Sequence, residues 1–340
     1  APKYVLPSSS AVDIKVLATS GDFLTGNIIK GIPDGMGAYK DGSKITLLSV
    51  FEHSTTATLT KNTAKTDGIW GASITKFSFS PRLKAFTSAD NNFIKNINFW
   101  NYSQGTWVTD PTGSGPADAN PGTFGWGINR FCSANLAPAG TFSYKEGSTT
   151  IGYDGALFFS GEEAGDHSRS FVFDMDGNGY QFYRMGMASW ENNLTNPKLG
   201  KNTVILGNED GSATNSHLHM YIGQKQATGN AFERAGLNNG KLYVLNVPTS
   251  ANDNVFRTTI GKNKPTPVTF NEVSWNQTVS DFDKSVTAAG SEFARIEDGE
   301  WDPTNPNVYY FLTTESNKDV AATTPNPALP TTPRDGGALW

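Results

Sequence analysis

Short β-rich segments recur along the whole chain and restrict its fold more than any other feature. Runs of β-branched and aromatic residues that end in Gly, Asn, Asp or Pro are typical of strands. The clearest runs are Ile45–Phe51, Ala72–Ser78, Ala156–Ser160, Ser170–Phe173, Thr203–Leu206, Leu218–Ile222, Lys241–Val247 and Val308–Thr313. Helical periodicity is weak, with its best candidate at Thr278–Ala288. The sequence therefore predicts an all-β protein.

The composition of the chain argues against several classes of protein. Charged residues make up only 17% of the 340 residues, which argues against a coiled coil or a helix bundle, and 12% are aromatic, which argues against disorder. The net charge is −5 and no basic stripe occurs, so we expect no nucleic-acid partner. No apolar run is long enough for a transmembrane helix, so we expect no membrane span.

Several strand-like runs end in acidic residues at related spacings. The acidic ends begin at Glu52, Glu162, Glu209 and Glu315, which are 110, 47 and 106 residues apart. These spacings are near multiples of about 50, and propeller blades repeat at roughly 40–50 residues. Carboxylates gathered at a channel mouth repel one another and stay ionised only beside cations. The pattern predicts a propeller with a multi-metal site, although strands that simply run into polar turns would look similar.

Short motifs follow one another in a fixed order over most of the chain. They are GIPDGMGAY at 31–39, LLSVFEHS at 47–54, GASITKF at 71–77, Cys132 followed by GEE at 161–163, Trp190-Glu191, VILGNED at 204–210, GKLYVLNV at 240–247, ARIEDGEWDP at 294–303 and GGALW at 336–340. In this order they resemble segments of the PhoX-type alkaline phosphatases, also described as the DUF839 group. The resemblance implies one six-bladed β-propeller domain over residues 1–340. Because the chain stops within the strand-like segment 336–340, we expect the propeller to be incomplete at the C-terminus.

The same resemblance implies iron (Fe³⁺) and calcium (Ca²⁺) in the channel and hydrolysis of small phosphate monoesters. Cys132 would be a thiolate ligand to iron, and Arg295 would clamp the phosphate of the substrate. The carboxylate ligands of iron or calcium would be Glu162, Glu163, Glu191, Glu209, Asp210 and Glu297.

Departures from the family's pattern concentrate near the expected ligands. The "CEE" cysteine is Gly161 here, the "HE" histidine is Trp190, and Glu52 has no Asn or His before it where the family has "NHE". The "TPWGTW" stretch is absent. These changes favour an alternative, a non-catalytic calcium-stabilised propeller with a binding or structural role. The two hypotheses differ in whether Cys132, Glu191, Glu297 and Arg295 converge.

Residue spacing adds detail to these assignments. Arg295 and Glu297 are two apart, so an extended strand places both on one face. Glu162 and Glu163 are adjacent, so we expect only one of them to enter the channel. His217 and His219 would also share a strand face, and zinc is an alternative there, although no Cys or third His is suitably spaced.

The start of the chain and its cysteine content bear on location. The sequence begins at Ala1, as it would after removal of a signal peptide at a small residue, so we expect a periplasmic or extracellular protein. Cys132 is the only cysteine, which excludes an intrachain disulfide.

Overall fold

The computed structural model describes residues 6–29, 31–53, 70–119, 127–198, 200–211, 215–261, 263–314 and 337–340. Glu315 and Gly336 lie outside these ranges. The strands in them are β1 Phe23–Leu24, β2 Asn27–Ile28, β3 Ile32–Asp41, β4 Lys44–Glu52, β5 Trp70–Gly71, β6 Ser73–Ser80, β7 Ala85–Asp90, β8 Asn96–Asn101, β9 Thr106–Val108, β10 Gly127–Ile128, β11 Phe131–Ala137, β12 Ser143–Glu146, β13 Thr149–Gly152, β14 Leu157–Glu162, β15 Ser170–Asp174, β16 Asn178–Gln181, β17 Trp190–Thr195, β18 Asn202–Glu209, β19 Leu218–Gln224, β20 Lys241–Asn246, β21 Thr269–Val273, β22 Ile296–Trp301, β23 Tyr309–Thr313 and β24 Ala338–Leu339.

Helical structure is sparse, as the sequence predicted. The helices are α1 Ala231–Arg234, α2 Asp253–Val255 and α3 Val279–Ala289, with a 3-10 turn at Tyr183–Met185 and a π turn at Phe256–Ile260. Thr278 caps α3 by accepting a hydrogen bond from the backbone N–H of Asp281, so the weak helical signal at 278–288 is confirmed. Among the helices of the described ranges, none has the length and apolar content to cross a membrane.

Sheets of three or more strands in the described residues form a propeller-like arrangement. Their strand orders are β3-β4-β6-β7, β11-β14-β15-β16-β8-β9, β17-β18-β19-β20-β21 and β22-β23-β24. All eight strand-like runs of the sequence coincide with strands. The all-β propeller is therefore confirmed, whereas the described residues contain four such sheets and the count of six blades stays a prediction.

Apolar side chains fill the spaces between neighbouring sheets. Strand β14 is buried along its whole length because the six-stranded sheet has another sheet on each face. Its Phe158 packs with Leu48 and Phe131 on one side, and its Phe159 packs with Trp190 on the other. This two-sided burial explains why β14 reads as a continuous apolar run instead of an alternating one.

The innermost strands of the sheets pack against one another in order. Strand β3 contacts β11, β11 contacts β17, and β17 contacts β22. We call β3, β11, β17 and β22 the inner strands, since each is an edge strand of its sheet and they pack against one another in this order.

Strands β14 and β17, from neighbouring sheets, approach each other closely at Gly161, and this contact leads to a prediction about stability. A Cβ atom added at Gly161 would lie 2.3 Å from the Cβ of Trp190, whereas one added at Gly200 would have nothing within 4 Å. We expect Gly161→Ala to lower the free energy of unfolding by about 1–3 kcal/mol, the usual cost of overpacking. Urea unfolding, with Gly200→Ala as the matched control, measures this difference. Equal stabilities of the two variants would contradict the close approach.

Candidate metal centre

Each inner strand begins beside the end of the next strand in its sheet, because the two strands are antiparallel. The pairs are β3 with β4, β11 with β14, β17 with β18 and β22 with β23. The acidic ends noted in the sequence are the ends of the second strands, β4, β14 and β18, and not of the innermost ones. They therefore lie next to the first residues of the inner strands.

A register irregularity interrupts all four strand pairs at this same level. The breaks fall between Pro33 and Met36, between Phe131 and Ala134, between Trp190 and Asn192, and between Ile296 and Gly299. Such bulges re-aim side chains and are frequent beside functional sites. The residues within the four irregular stretches include Asp34, Cys132, Glu191 and Glu297.

These bulge residues converge with acidic residues from the ends of the second strands. The Cys132 sulfur lies 3.4 Å from Asp34 Oδ2 and 3.9 Å from Glu52 Oε1. Potential ligand atoms lie within 4.8 Å of one another in the triads Asp34–Glu52–Cys132, Cys132–Glu163–Glu191 and Glu191–Asp210–Glu297. Because the triads share Cys132 and Glu191, they form one continuous group, which we call the central cluster.

Burial and mutual repulsion alter the acidity of the central cluster. Burial and then the charges of Glu163 and Glu297 raise the pKa of Glu191 to about 8, although hydrogen bonds from Cys132 and Ser133 oppose the rise. Burial also raises the pKa of Glu163 to about 7, against the opposing charge of Arg130. Burial, followed by the charge of Glu191, raises the pKa of the Cys132 thiol. In the absence of cations the cluster therefore holds protons that a carboxylate in water would lose.

Two arginines contact the carboxylates of the central cluster. Arg295 Nε lies 2.9 Å from Asp210 Oδ1, and its Nη2 lies 3.0 Å from Glu297 Oε1. Arg130 Nη2 lies 2.7 Å from Glu163 Oε2 and 3.0 Å from Glu52 Oε2. Both arginine side chains remain partly exposed, at 37% and 42%.

The backbone at both arginines is unusual. Arg130 and Arg295 each immediately precede an inner strand and adopt the left-handed region, with φ of +46° and +59°. Non-glycine residues rarely occupy this region, and such outliers gather at functional sites.

Glu162 and Glu163 point to different partners, as expected for adjacent strand residues. Arg169 Nε lies 2.7 Å from Glu162 Oε2 and its Nη2 lies 2.9 Å from Oε1, in an ion pair whose side chains are 0% and 3% exposed. The backbone N–H groups of Asn129 and Arg169 also donate to Glu162. The structure therefore does not bring Glu162 into the central cluster, and its role as a metal ligand stays a prediction.

Glu209 and Asp210 also separate. Asp210 joins the central cluster, whereas Glu209 accepts hydrogen bonds from His217 Nδ1 at 3.1 Å and His219 Nε2 at 3.0 Å. Burial alone would raise the pKa of Glu209, but the hydrogen bonds from both histidines lower it to about 2.

The sequence-based site is therefore brought together in part. Six of its residues lie in or beside the central cluster: Cys132, Glu163, Glu191, Asp210, Arg295 and Glu297. Sequence reasoning did not select Asp34, Glu52 and Arg130 as site residues. Glu52 was marked by its place at the end of an apolar run, and Arg130 by its nearness to Cys132. Asp34 lies within the family-like segment GIPDGMGAY, where the sequence analysis did not single it out.

The buried ion pair generates a stability prediction. Arg169→Met leaves the Glu162 carboxylate buried without its cation. We therefore expect this substitution to lower the free energy of unfolding by about 3–5 kcal/mol. The double variant with Glu162→Leu should recover most of that loss. The exposed pair Lys241–Glu272 supplies the control, and Lys241→Met should cost less than about 1 kcal/mol.

Chemical denaturation measures these differences, and metal analysis of the double variant tests the role of Glu162. Unchanged metal content would assign Glu162 to structure alone. Loss of metal from a folded double variant would support the predicted ligand role.

Comparison with known proteins yields one informative match. No family model matches the chain, and no curated protein sequence matches it. The chain is similar to the solved structure of Pseudomonas fluorescens PhoX in complex with vanadate, a transition state analogue, with a TM-score of 0.58 and 10% sequence identity. The match covers 92% of this chain and 66% of the PhoX chain, so this chain spans about two thirds of the length of that protein. At this low identity the likeness concerns the fold, and the chain has the PhoX-like β-propeller fold that its motifs suggested.

Proposed function

We propose that the chain is an exported, metal-dependent phosphoesterase that hydrolyses small phosphate monoesters at the central cluster. The convergence of Cys132, Glu191, Glu297 and Arg295 carries this proposal. These residues come from the starts of three inner strands that are far apart in sequence, and they meet through shared triads and the Arg295–Glu297 contact. A random distribution of acidic turn residues would not produce this meeting at four equivalent bulges.

The residues of the central cluster fit bound cations. Glu191 Oε2 is buried and has no hydrogen-bond partner among the described residues, and the neighbouring carboxylates repel one another. The thiolate of Cys132 suits iron, and the oxygens of Glu163, Glu191 and Glu297 suit both iron and calcium. When bound, such cations supply positive charge that stabilises the charge developing on a phosphoryl group.

The arginines would position the substrate. Asp210 and Glu297 fix the orientation of the Arg295 guanidinium while part of its side chain stays open to solvent. A guanidinium held in this way presents a permanent positive charge, which suits phosphate oxygens. Arg130, fixed by Glu52 and Glu163, would donate to the same anion from another side of the cluster.

Vanadate is the natural probe for this proposal, since PhoX was solved in complex with it as a transition state analogue. A site that stabilises the transition state binds such an analogue more tightly than substrate. We expect vanadate to inhibit this protein competitively.

A second candidate is the non-catalytic, calcium-stabilised propeller with a binding or structural role. The specific observation in its favour is that Arg295 is engaged by two carboxylates, so its charge is already compensated within the protein. Trp190 also occupies the position of the family's histidine, next to Glu191. Calcium content without iron, together with no phosphatase activity, would favour this candidate.

Activity and metal content should separate the two candidates. Protein purified without chelators should contain iron and calcium and should hydrolyse p-nitrophenyl phosphate. Arg295→Ala should lower kcat/KM by about 10²–10³ without loss of metal, since it removes a charged donor to the phosphoryl group. The exposed Arg82→Ala is the matched control. Full activity of Arg295→Ala would contradict the assigned role, and metal-loaded protein without any activity would contradict the proposed function.

The raised pKa values of Glu163 and Glu191 predict a pH dependence of chelator-treated protein. The folded state binds protons that the unfolded chain has lost above its ordinary carboxylate pKa of about 4.5. The stability that these two protons contribute should therefore be full below about pH 4.5, should decline as pH rises, and should be lost above about 7 for Glu163 and about 8 for Glu191. Metal binding should become stronger over the same interval, because the ligands release protons.

Urea unfolding at pH 6 and pH 9 measures this dependence. Glu191→Gln should flatten it, whereas Glu272→Gln, which alters an exposed carboxylate, should leave it unchanged. Greater stability of the chelated protein at pH 9 than at pH 6 would show that the cluster is not held in its protonated form.

A further inference from the structure

A second group of side chains that could hold a metal ion lies in the hairpin between β18 and β19. Glu209 ends β18, His217 directly precedes β19, and His219 is its second residue. The register pairs Gly207 with His219, and the backbone N–H of His217 donates to Glu209 Oε2 at 3.0 Å. Side chains two apart share a face, so Glu209, His217 and His219 lie on one side of this hairpin.

Both imidazoles aim at the same carboxylate oxygen. Glu209 Oε2 lies 3.1 Å from His217 Nδ1 and 3.0 Å from His219 Nε2, and the three potential ligand atoms lie within 4.8 Å of one another. Neighbouring ligands of a tetrahedral zinc, at about 2.0–2.2 Å from the metal, are roughly 3.3 Å apart. The three side chains are therefore already close to the arrangement that one cation requires.

The burial of both rings shows which of their nitrogens make polar contacts. His217 and His219 are 1% and 0% exposed, and His217 Nε2 and His219 Nδ1 have no hydrogen-bond partner in the described structure. Each ring therefore makes its polar contact through the nitrogen that faces Glu209. The two nitrogens that face Glu209 are therefore the ones that a cation between the three side chains would take as ligands.

The surroundings combine an apolar wall with negative charge. The centroid of the Trp190 ring lies 4.9 Å from that of the His219 ring, in an edge contact. The Phe282 ring is stacked with the His219 ring, at a centroid distance of 6.1 Å. Asn215, in the same hairpin, donates through its Nδ2 to Asp283 Oδ1 at 3.0 Å, which holds this carboxylate beside the hairpin. Apolar shells strengthen metal binding, and nearby carboxylates attract cations.

We propose that Glu209, His217 and His219 form a separate site for a divalent transition metal, with zinc as the ion that their two imidazoles and one carboxylate suit. Buried nitrogen ligands favour zinc over calcium, which prefers oxygen. The bound ion joins the end of β18 to the start of β19 and has a structural role. The proposal is independent of phosphatase activity, since Asp210, not Glu209, belongs to the central cluster.

Zinc binding to a variant without the competing thiolate tests the site. Chelator-treated Cys132→Ser protein is titrated with zinc in excess calcium, against a chromophoric competitor. We expect one zinc per chain, and its X-ray absorption spectrum should contain the scattering of two imidazoles. His217→Gln and His219→Gln should each weaken zinc binding by more than about a hundredfold, since loss of an outer-shell partner alone costs 10–100-fold. His53→Gln is the matched control, because the His53 ring lies beside Gly31 and is not part of the Glu209–His217–His219 group.

The outcomes that overturn the proposal are distinct. Zinc bound by wild-type protein but not by folded Cys132→Ser would place the ion at the central cluster, and unchanged affinity in both histidine variants would exclude their imidazoles. Failure of folded Cys132→Ser to bind zinc would leave the three side chains as a metal-free hydrogen-bond network. If the histidine variants do not fold, the imidazole count from absorption spectroscopy of Cys132→Ser decides alone.

Discussion

Repulsion among buried carboxylates around Cys132 is the interaction on which the rest of the structure depends. Burial, and then the charges of neighbouring carboxylates, raise the pKa of Glu163 to about 7 and that of Glu191 to about 8. Such a group is unfavourable unless protons, arginines or cations compensate it. Arg130 and Arg295 supply part of the compensation, and the packed sheets behind them hold the cluster together against the remaining repulsion.

Much of the fold was predictable from sequence, because strand content depends on local patterns. The apolar runs, their turn residues and the acidic ends all indicated a propeller, and the structure contains each run as a strand. The bulges were not predictable, since an extra residue only shifts the phase of the alternation, and each bulge lies too near the start of its strand for such a shift to be recognised. Asp34 owes its position to such a bulge and was therefore missed. The sequence also did not reveal that Glu162 pairs with Arg169 and that Glu209 pairs with His217, because these contacts form only in the folded chain.

Two departures from the PhoX-type pattern lie against each other in the structure. Gly161 stands where the family has cysteine, and Trp190 stands where it has histidine. A Cβ atom at position 161 would lie 2.3 Å from the Cβ and 2.6 Å from the backbone oxygen of Trp190. The path of the backbone, and not the indole, therefore excludes a side chain at position 161. The indole fills the space between β14 and the hairpin that carries Glu209.

The six-stranded sheet has a consequence for how this architecture can change. Strand β16 pairs in parallel with β8, so residues 96–108 complete a sheet whose other strands come from residues 131–181. Ordinary propeller blades are contiguous repeats that can be duplicated or deleted as one piece of sequence. This blade is interleaved from two pieces, and removing either would expose the sheet edge that the other covers. Growth or shortening of the protein by whole blades is therefore confined to regions outside this sheet, and its two segments must be inherited together.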